Sequence, residues 1–490
     1  MTGSIAASRL ASLAGDFDRT PAYAGLADEL RLLIGDGRVD ADLRLPSERD
    51  LSAALGVSRT TVARAYASLV DSGYAVARQG SGTYTRVPGG RRRALDRTLT
   101  PHVGDDDMVD LSCAAPPAPP GIATAYADAV QDLPPYLGGH GYFPTGVPAL
   151  QEAIAATYED RGLPTDPAQI LVVPGALSGL MIVAQALVGA GDRALVESPG
   201  YPNAQAALSH AGARRVAVPM DVDGWDLDAV GRIAHQARPR LAYLIPDFQN
   251  PTGNLMSDSQ REQYAALLRR TGTVPVVDES HVHLSLDLDT DLDKDNDPMP
   301  RPFATFDPDT ISLGSASKSL WGGLRVGWIR SPLALVERLV GARVAIDLGS
   351  PVYEQLVAAR LLDRREEHWA SIRSRLRLQR AALADAITSR LTDWRFRLPA
   401  GGLALWCELP TAGRRGGAVA LAGEAERRGV VVSPGPLFGA DGGFDSFVRI
   451  PYTRPEDELR DAADRLAEAW ETVSHSPAGR PERRSRVMVA

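Results

Sequence analysis

The feature that most constrains this chain is an alternation of apolar, strand-like runs with helical patterns, which continues from Asp110 to about Val473. A strand pattern followed repeatedly by a helix pattern is typical of α/β domains, in which helices cover a mostly parallel sheet. The clearest strand-like runs are Ile170–Val173, Arg193–Val196, Leu241–Ile245 and Val274–Val277, and the clearest helical patterns are Ser178–Leu187 and Arg261–Arg270.

Length and composition narrow the class of protein. At roughly 100–200 residues per domain, 490 residues predict two to four domains. Hydrophobic residues make up 44% and charged residues 23%, which suits a globular protein with a large core. No apolar run is long enough to span a membrane and no signal-peptide pattern is present, so we expect a cytoplasmic protein without a membrane partner. The two cysteines, Cys113 and Cys407, lack metal-ligand spacing, so neither a disulfide nor a metal site is expected.

Charge and turn-forming residues divide the chain further. Residues 1–95 contain 13 Arg and 10 acidic residues, a net charge of +3, whereas the whole chain carries −8. A basic N-terminal region followed by an acidic remainder indicates an anionic partner for the N-terminal region. Turn formers and like-charge blocks separate the two parts and predict a linker. The expected division is a disordered tail at 1–15, a first domain at 16–86, a linker at 87–109, a large domain at 110–473 and a disordered tail at 474–490.

The first domain has the pattern of two short helices and a hairpin. Ser47 fits a helix cap, Gly56 breaks that helix, and Ser58 can cap a second helix whose apolar face includes Val62 and Leu69. Two strand-like runs around Gly80 follow as a wing. Periodicity alone leaves open an amphipathic hairpin with solvated arginines. The alternative is a helix-turn-helix, in which Arg59 reads a base edge and phosphates are held by Thr60, Thr61 and wing amides such as those of Gly80 and Ser81.

Three strings favour the helix-turn-helix. The segments 45–51 (LPSERDL), 55–62 (LGVSRTTV) and 80–84 (GSGTY) closely resemble the GntR-type winged helix-turn-helix, over about residues 20–86. The resemblance implies binding to duplex promoter DNA, and the family's DNA-contacting arginines fall on Arg49 and Arg59. A further contact of some members falls on Ala63, beside Arg64.

The large domain has one prominent lysine. Of the 53 basic residues, only Lys294 and Lys318 are lysine. Lys294 lies in an acidic insertion, whereas Lys318 lies among small residues, in the segment 313–319 (LGSASKS). A lysine amine can form a Schiff base with an aldehyde cofactor such as pyridoxal 5′-phosphate, although a lone lysine is more often a surface residue.

Other strings accompany Lys318 at the ends of predicted strands. Asn250 lies in a QNPTG segment after one strand, and Asp278 ends the next, where a carboxylate can hold a pyridine nitrogen protonated. Gly175 precedes a helix whose N-terminal amides suit a phosphate.

In this order and spacing, the strings resemble the aminotransferase class I fold, fold type I of the pyridoxal-phosphate enzymes, over about residues 110–470. A winged helix ahead of it is the arrangement of MocR/GabR-type regulators. The resemblance implies a homodimer through the large domain, with Lys318 as the Schiff-base lysine, Asp278 as the pyridinium partner and Asn250 on the ring hydroxyl. The remaining implied roles are ring stacking by Tyr201, phosphate binding by Ser315, Arg325, Gly175, Ala176 and Leu177, a carboxylate clamp at Arg449, and Tyr142 reaching the neighbouring subunit's site.

Two positions depart from that family pattern. The family usually has a Tyr two or three residues after the aspartate, where this chain has Glu279-Ser280-His281, so His281 could take the tyrosine's place or be structural. The phosphate loop usually begins with Ser or Thr, and here Pro174 supplies neither a hydroxyl nor an amide proton. We therefore expect a transcriptional regulator that senses an amine, an amino acid or the cofactor itself. The alternatives are an active aminotransferase with a DNA-binding appendage and a large domain that only dimerises.

Overall fold

The computed structural model describes residues 4–35, 38–40, 42–78, 80–86, 108–221, 223–288, 299–410 and 417–475. Two compact units are formed. The first comprises the described residues up to 86 together with 118–131, and the second comprises 108–117 and the described residues from 132 onward. Most of the predicted linker at 87–109 and of the predicted tail at 474–490 lies outside the described residues.

The first unit is a small helical domain with a β-hairpin. The expectation of a disordered tail over 1–15 is wrong for its described part, because residues 7–14 form a helix whose Leu10 is completely buried. Residues 42–45 also pair with the second strand of the hairpin. The elements of this unit are α1 (Ala7–Ala14), α2 (Ala22–Gly35), α3 (Glu48–Leu55), α4 (Arg59–Asp71), β1 (Ala75–Arg78), β2 (Gly82–Thr85) and α5 (Ile122–Ala129).

Local chemistry sets the helix-turn-helix in this unit. The side chain of Ser47 accepts the N–H of Asp50 at the start of α3, and Ser58 accepts the N–H of Thr61 at 3.0 Å at the start of α4. Between the two helices, Gly56 takes a left-handed conformation (φ 65°), which glycine adopts without steric cost. The predicted helices and their turn are therefore confirmed, with a core that includes Leu26, Leu30, Leu51, Val62 and Leu69.

The second unit is built on an eight-stranded mixed sheet. Its strand order is β4-β11-β10-β9-β8-β5-β6-β7, and β11 and β7 run opposite to the other six. The predicted mostly parallel α/β sheet is thus confirmed, with two antiparallel exceptions. The strands are β4 (Ile170–Val173), β5 (Arg193–Ser198), β6 (Arg214–Asp221), β7 (Gly224–Trp225), β8 (Leu241–Leu244), β9 (Val274–Asp278), β10 (Ile311–Ser315) and β11 (Gly327–Arg330).

A second, antiparallel sheet carries a separate core in the same unit. Its order is β12-β13-β16-β15, and a short parallel pair is formed by β3 and β14. The apolar faces of long helices pack on this sheet, with Ile372, Leu405 and Leu466 among the buried residues. These strands are β3 (Val109–Asp110), β12 (Arg395–Phe396), β13 (Ala404–Glu408), β14 (Val430–Val431), β15 (Ser433–Pro434) and β16 (Phe447–Pro451).

Eleven helices of the second unit are described, and they cover the two sheets or connect their strands. Among the described residues, none of the helices is both long enough and apolar enough to cross a membrane. They are α6 (Pro134–Leu137), α7 (Pro148–Glu159), α8 (Ala176–Leu187), α9 (Pro202–His210), α10 (Leu227–Ala237), α11 (Asp258–Thr271), α12 (Leu333–Val344), α13 (Val352–Asp363), α14 (Arg365–Arg390), α15 (Ala418–Arg427) and α16 (Glu456–His475).

Candidate functional site

Five strands of the large sheet deliver the predicted site residues to one edge. β4, β5, β8, β9 and β10 run in the same direction, so their carboxyl ends lie at the same edge of the sheet. Polar groups at that edge are where open α/β sheets bind ligands. In strand order along the chain, the residues that follow or end these strands are Gly175, Tyr201, Asn250, Asp278 and Ser315, with Lys318 three residues further on.

Lys318 lies in a π-helical turn, Ser317–Trp321, directly after β10. Its side chain is half-buried, and its Nζ donates a hydrogen bond to the carbonyl of Ala114 at 3.0 Å. Burial lowers the pKa of Lys318, and the positive charges of Arg449 and Arg325 lower it further. A lowered pKa increases the neutral fraction of the amine, which is the form that attacks an aldehyde.

Asp278 is a buried carboxylate with two donors. It accepts the hydroxyl of Tyr243 at 2.7 Å and the N–H of Ser280 at 2.9 Å. Burial raises the pKa of Tyr243 well above its usual value, and the negative charge of Asp278 raises it further, so this phenol stays protonated and acts as the donor. The sequence did not single out Tyr243, because it lies inside the apolar run of β8, where it counts only as a strand residue.

His281 lies three residues after Asp278, at a position where the family pattern usually has a tyrosine. Its Nδ1 lies 3.0 Å from the carbonyl of Phe248, which makes Nδ1 the protonated nitrogen and leaves Nε2 as an acceptor. Burial lowers the pKa of His281, and the charges of Lys318 and Arg449 also lower it, so the ring is neutral near pH 7. A neutral imidazole in this tautomer cannot replace a phenol as a donor through Nε2.

A small cradle forms where α8 begins. Gly175 (φ 113°) lies so close to the guanidinium of Arg325 that an added Cβ would come within 3.3 Å of Nη2. Arg325 is itself held by the carbonyl of Pro174, at 2.9 Å from Nη2. The first turn of α8 begins with Ala176 and Leu177, whose amides precede the helical hydrogen-bond ladder. This combination of helix N-terminus and guanidinium suits a phosphate.

Ser315 is the last residue of β10 and is buried. Its Oγ accepts the N–H of Ser317 at 3.1 Å, which fixes the side chain at the start of the Lys318 turn. The predicted phosphate-binding residues therefore come from two loops, one after β4 and one after β10, which Arg325 links through its bond to Pro174.

Arg449 is completely buried on β16. Its Nη1 donates to Asn250 Oδ1 at 3.2 Å, its Nη2 donates to the carbonyl of Ser112, and its guanidinium lies 5.1 Å from the ring centroid of Phe438. Its Nε is buried and has no hydrogen-bond partner in the structure. Burial lowers the pKa of Arg449 to about 10, so the group is still charged at neutral pH. Among the described residues, it forms no ion pair with a carboxylate.

Tyr201 is half-buried at the start of α9 and accepts a hydrogen bond from Asn203 at 3.0 Å. Burial raises the pKa of its hydroxyl, and the charge of Asp278 contributes in the same direction. Electrostatic interactions thus link Tyr201, Asp278, His281, Lys318 and Arg449 as one group. Tyr142 is not part of that group; its side chain is 57% exposed and stacks on His140.

A buried carboxylate that the sequence did not reveal, Glu197, supports the same edge of the sheet from the end of β5. Its oxygens accept hydrogen bonds from Trp225 Nε1 at 2.7 Å, from the N–H of Ile245 at 3.2 Å and from Gln249 Nε2 at 3.0 Å. Gln249 directly precedes Asn250, so this network holds the loop that carries Asn250. Burial raises the pKa of Glu197 to about 7, although the three donors act in the opposite direction.

Glu197 should make the stability of the second unit depend on pH. Its folded-state pKa lies above the ordinary value of 4.5, so its contribution is fully present below pH 4.5 and is lost as the pH rises through 7. At one pKa unit per 1.36 kcal/mol, the loss amounts to about 3 kcal/mol. Glu197→Gln cannot ionise, so the unfolding free energy of wild type should fall relative to that of the variant between pH 5 and 8, in urea titrations. The exposed Glu408→Gln is the control, and a wild-type-to-E197Q difference that does not vary with pH would contradict this assignment.

The first unit presents a candidate nucleic-acid interface. Arg49 on α3 and Arg59 and Thr60 at the start of α4 are exposed, as expected for base and phosphate contacts. The tip of the wing bears Gly80 and Ser81, and the hydroxyl of Ser81 lies 2.7 Å from that of Tyr84.

Two predicted DNA-binding side chains are engaged within the domain. Thr61 is half-buried and its hydroxyl lies 2.8 Å from that of Ser58, so it helps to cap α4. Arg64 is exposed, but its guanidinium stacks over the ring of Tyr23 at 3.5 Å from the centroid, which joins α4 to α2. Arg44, which the sequence did not single out, is exposed, and its backbone pairs with that of Tyr84 in the wing.

Pyridoxal phosphate suits the chemistry of the large site. Gly175 and Arg325 could bind the phosphate, and the buried carboxylate of Asp278 could pair with the pyridine nitrogen. Lys318 offers an amine of lowered pKa for the aldehyde. The buried, unpartnered Nε of Arg449 leaves donor capacity for a further anionic group.

Comparisons with known proteins identify a family for each of the two parts of the chain. The family model for aminotransferase class I and II matches residues 121–466, and the model for bacterial regulatory proteins of the gntR family matches residues 22–85. The HTH-type transcriptional regulator TauR of Rhodobacter capsulatus is 27% identical over 469 residues, covering 85% of this chain and 90% of TauR. The probable rhizopine catabolism regulatory protein MocR of Rhizobium meliloti is 31% identical over 347 residues, covering 65% of this chain and 66% of MocR.

Solved structures share the fold of the second unit. The crystal structure of LysN, an α-aminoadipate aminotransferase from Thermus thermophilus in complex with N-(5′-phosphopyridoxyl)-L-leucine, is 27% identical, with a TM-score of 0.66. That alignment covers 75% of this chain and 93% of LysN. The aminotransferase class I fold that the sequence predicts is therefore confirmed.

Proposed function

Because this chain belongs to the aminotransferase class I and II family and carries a gntR-type domain ahead of it, we propose that it senses a carboxylate-bearing amine and transmits binding to promoter DNA. It is a GntR-type regulator fused to an aminotransferase domain, and its cofactor is pyridoxal phosphate. When bound, this cofactor supplies an aldehyde that condenses with primary amines and a ring that withdraws electrons.

The proposed roles of the site residues follow from their positions. Lys318 would provide the amine that holds the cofactor covalently, and Asp278, which accepts a hydrogen bond from Tyr243, would pair with the pyridine nitrogen. By the family resemblance, Asn250 would donate to the ring hydroxyl oxygen and Tyr201 would stack on the ring. The phosphate is held by Ser315, Arg325 and the backbone amides of Gly175, Ala176 and Leu177.

The observation that carries the sensing proposal is the burial of Arg449. A guanidinium that is completely buried without a carboxylate partner among the described residues is costly, and its Nε is unpaired. A ligand carboxylate would compensate that charge and satisfy the free donor, because the planar guanidinium binds carboxylates through two parallel hydrogen bonds. Arg449 and Lys318 interact electrostatically, so an effector whose carboxylate binds Arg449 would have its amine near Lys318. The effector class that fits is an amino acid rather than a simple amine.

The alternative, an aminotransferase with a DNA-binding appendage, is less favoured. Relatives such as TauR, whose matches cover 85% or more of this chain, are HTH-type transcriptional regulators, and two local features weaken the case for efficient turnover. Neutral His281 presents an acceptor where the family has a phenol, and Pro174 lacks the hydroxyl and amide proton of the usual phosphate loop. Incubating the wild-type protein with amino donors and keto acids tests this choice directly. Keto-acid formation over many turnovers per site, at ordinary aminotransferase rates, would favour the enzyme.

Replacing Arg449 with lysine should weaken carboxylated effectors selectively. Lysine keeps the positive charge but cannot form two parallel bonds, and a lost hydrogen bond to a charged group costs about 1.5–3 kcal/mol, or roughly 10–100-fold in affinity. The measurement is a titration of the cofactor's visible absorbance with L-amino acids and with the corresponding amines that lack the carboxylate. The amines should bind wild type and Arg449→Lys within about threefold of each other. Equal weakening of both ligand sets would show that Arg449 does not bind the carboxylate.

A homodimer through the second unit is the assembly we propose. Arg343 donates to the carbonyl of Pro144 at 2.9 Å, and Gly349 packs against the backbone of Phe143, so the loop before α7 lies beside the segment after α12. Exposed apolar side chains lie on these two segments and on the ends of α6 and α12 that adjoin them, which favours an interaction surface. They are Leu137, Tyr142, Val344, Ile346 and Leu348, each at least 44% exposed.

Charges on that surface should dissociate the dimer. The double variant Ile346→Asp/Leu348→Asp would desolvate two carboxylates at the interface, so sedimentation at micromolar concentration should give a monomer where wild type gives a dimer. Val419→Asp, which places a carboxylate at an exposed apolar position on α15, is the matched control and should remain dimeric. A dimer that survives the double variant with its cofactor still bound would move the interface elsewhere.

A further inference from the structure

The chain does not pass between its two units only once. After the crossing in the predicted linker, residues 108–117 belong to the second unit, residues 118–131 return to the first, and residue 132 begins the second unit again. The stretch from Ser112 to Asp132 therefore contains two points at which the chain passes from one unit to the other. We call it the return segment.

The beginning of the return segment contacts the cofactor site through its backbone. The carbonyl of Ser112 accepts Nη2 of Arg449, and the carbonyl of Ala114 accepts Nζ of Lys318 at 3.0 Å. Side chains of the same unit also hold the carbonyls of Cys113 and Pro117, through Thr453 at 3.5 Å and Arg375 at 3.2 Å. Two of these four donors are the groups that a cofactor aldehyde and an effector carboxylate would engage. Ligand binding thus competes with the bonds that hold the return segment.

The first crossing of the return segment is rich in proline. Residues 116–120 read Pro-Pro-Ala-Pro-Pro, and proline-rich segments adopt an extended, semi-rigid conformation. Pro116 and Pro119 are buried, whereas Pro117 and Pro120 are exposed. The predicted linker at 87–109 has only Pro88 and Pro101 among glycines and charged blocks, so it lacks a comparable run of prolines.

The middle of the return segment is part of the DNA-binding unit. Helix α5 packs against α2, its Ala129 is completely buried, and Nη2 of Arg38 donates to Thr124 Oγ1 at 2.7 Å. α2 also contacts α4, the helix that bears Arg59. At the far end, Arg360 on α13 fixes Asp132 through a two-pronged ion pair, with one contact of 2.9 Å.

We propose that the return segment is the element that couples the cofactor site to the DNA-binding unit. Withdrawal of Lys318 from Ala114 and of Arg449 from Ser112 releases the start of the segment, and the proline crossing passes the change to α5. This inference rests on the proposed function, since it presupposes a ligand at Lys318 and DNA at α4. It assigns the coupling to residues 112–132 instead of the linker at 87–109.

The test compares a softened return segment with a softened linker in the full-length protein. Pro117→Gly/Pro120→Gly removes two exposed prolines while keeping the buried pair, and Pro88→Gly/Pro101→Gly makes the same exchange in the linker. For wild type, adding pyridoxal phosphate should change the affinity for a duplex selected from a random-sequence pool by about fivefold or more. The return-segment variant should reduce that ratio to within about twofold of one, and the linker variant should keep it.

Amide hydrogen exchange gives a second readout that does not depend on DNA. In wild type, pyridoxal phosphate should change the exchange of peptides covering both 108–117 and 118–131. In Pro117→Gly/Pro120→Gly the change should remain in 108–117 and disappear from 118–131. Thr124→Val, which removes the acceptor of Arg38, should reduce the DNA effect as well and serves if the proline variant does not fold.

The outcomes separate this inference from the proposed function. If wild type shows no cofactor band or no DNA binding, the proposed function fails. If wild type shows both, the inference is overturned when the linker variant, not the return-segment variant, loses the cofactor-dependent change. An unchanged exchange pattern at 118–131 on cofactor addition to wild type would overturn it as well.

Discussion

Replacing Lys318 with alanine should abolish the visible band of the Schiff base that this lysine forms with the cofactor. The chain has only one other lysine, Lys294, which lies outside the described residues, so among the described residues no second lysine can take over the covalent link. Lys318 is suited to that link because burial lowers its pKa, which increases the neutral fraction of its amine. The phosphate cradle at Gly175 and Arg325 is untouched by the change, so weak, non-covalent cofactor binding should remain.

The matched control is Lys294→Ala, which removes the other lysine in a part of the chain outside the described residues. After borohydride reduction and proteolysis, mass spectrometry should find the phosphopyridoxyl adduct on Lys318 in both wild type and Lys294→Ala, and nowhere in Lys318→Ala. A Schiff-base band that persists in Lys318→Ala, or an adduct on Lys294 in wild type, would show that the cofactor assignment is wrong.

Residue-type patterns selected most residues of this candidate site because those residues follow strand ends. Asp278 and Lys318 stand out in sequence as a carboxylate after an apolar run and a lysine among small residues, and the sheet then brings both to one edge. The predicted strand Ile170–Val173 has the same bounds in the structure, and the helix predicted from Ser178 starts two residues earlier, at Ala176. The sequence is therefore sufficient to predict the features that depend on the order of strands along the chain and on the apolar period.

The remaining features depend on contacts that no local pattern encodes. Tyr243 was hidden because a tyrosine in a buried strand serves the core equally well without a partner, and only the neighbouring strand β9 gives its hydroxyl an acceptor. The carbonyls of Ser112 and Ala114 are backbone groups, so their hydrogen bonds to Lys318 and Arg449 cannot be predicted from residue type. Helix α1 was missed because its stability comes from burying Leu10 against other helices of the first unit, which is a tertiary effect rather than a local preference.

Replacing Arg49 and Arg59 together with alanine should reduce operator affinity by about 30-fold to more than 1,000-fold. Each arginine that contacts DNA contributes about 1–3 kcal/mol, and the two contributions should add if the sites are independent. Both side chains are exposed at the helix-turn-helix, Arg49 on α3 and Arg59 as the first residue of α4, so neither change should unfold the domain. Fluorescence anisotropy with a duplex selected by the wild-type protein measures the loss, and an unchanged cofactor band shows that the second unit is intact.

The single variants should separate base reading from phosphate binding. If Arg59 reads a base edge, Arg59→Ala should lower the ratio of specific to non-specific affinity, whereas loss of a phosphate contact should weaken all sequences and reduce the salt slope of binding by about one unit. The matched charge control is Arg427→Ala/Arg460→Ala, two exposed arginines of the second unit, which makes the same change in net charge. If that control weakens operator binding as much as Arg49→Ala/Arg59→Ala, the effect comes from net charge and the proposed docking through α3 and α4 is wrong.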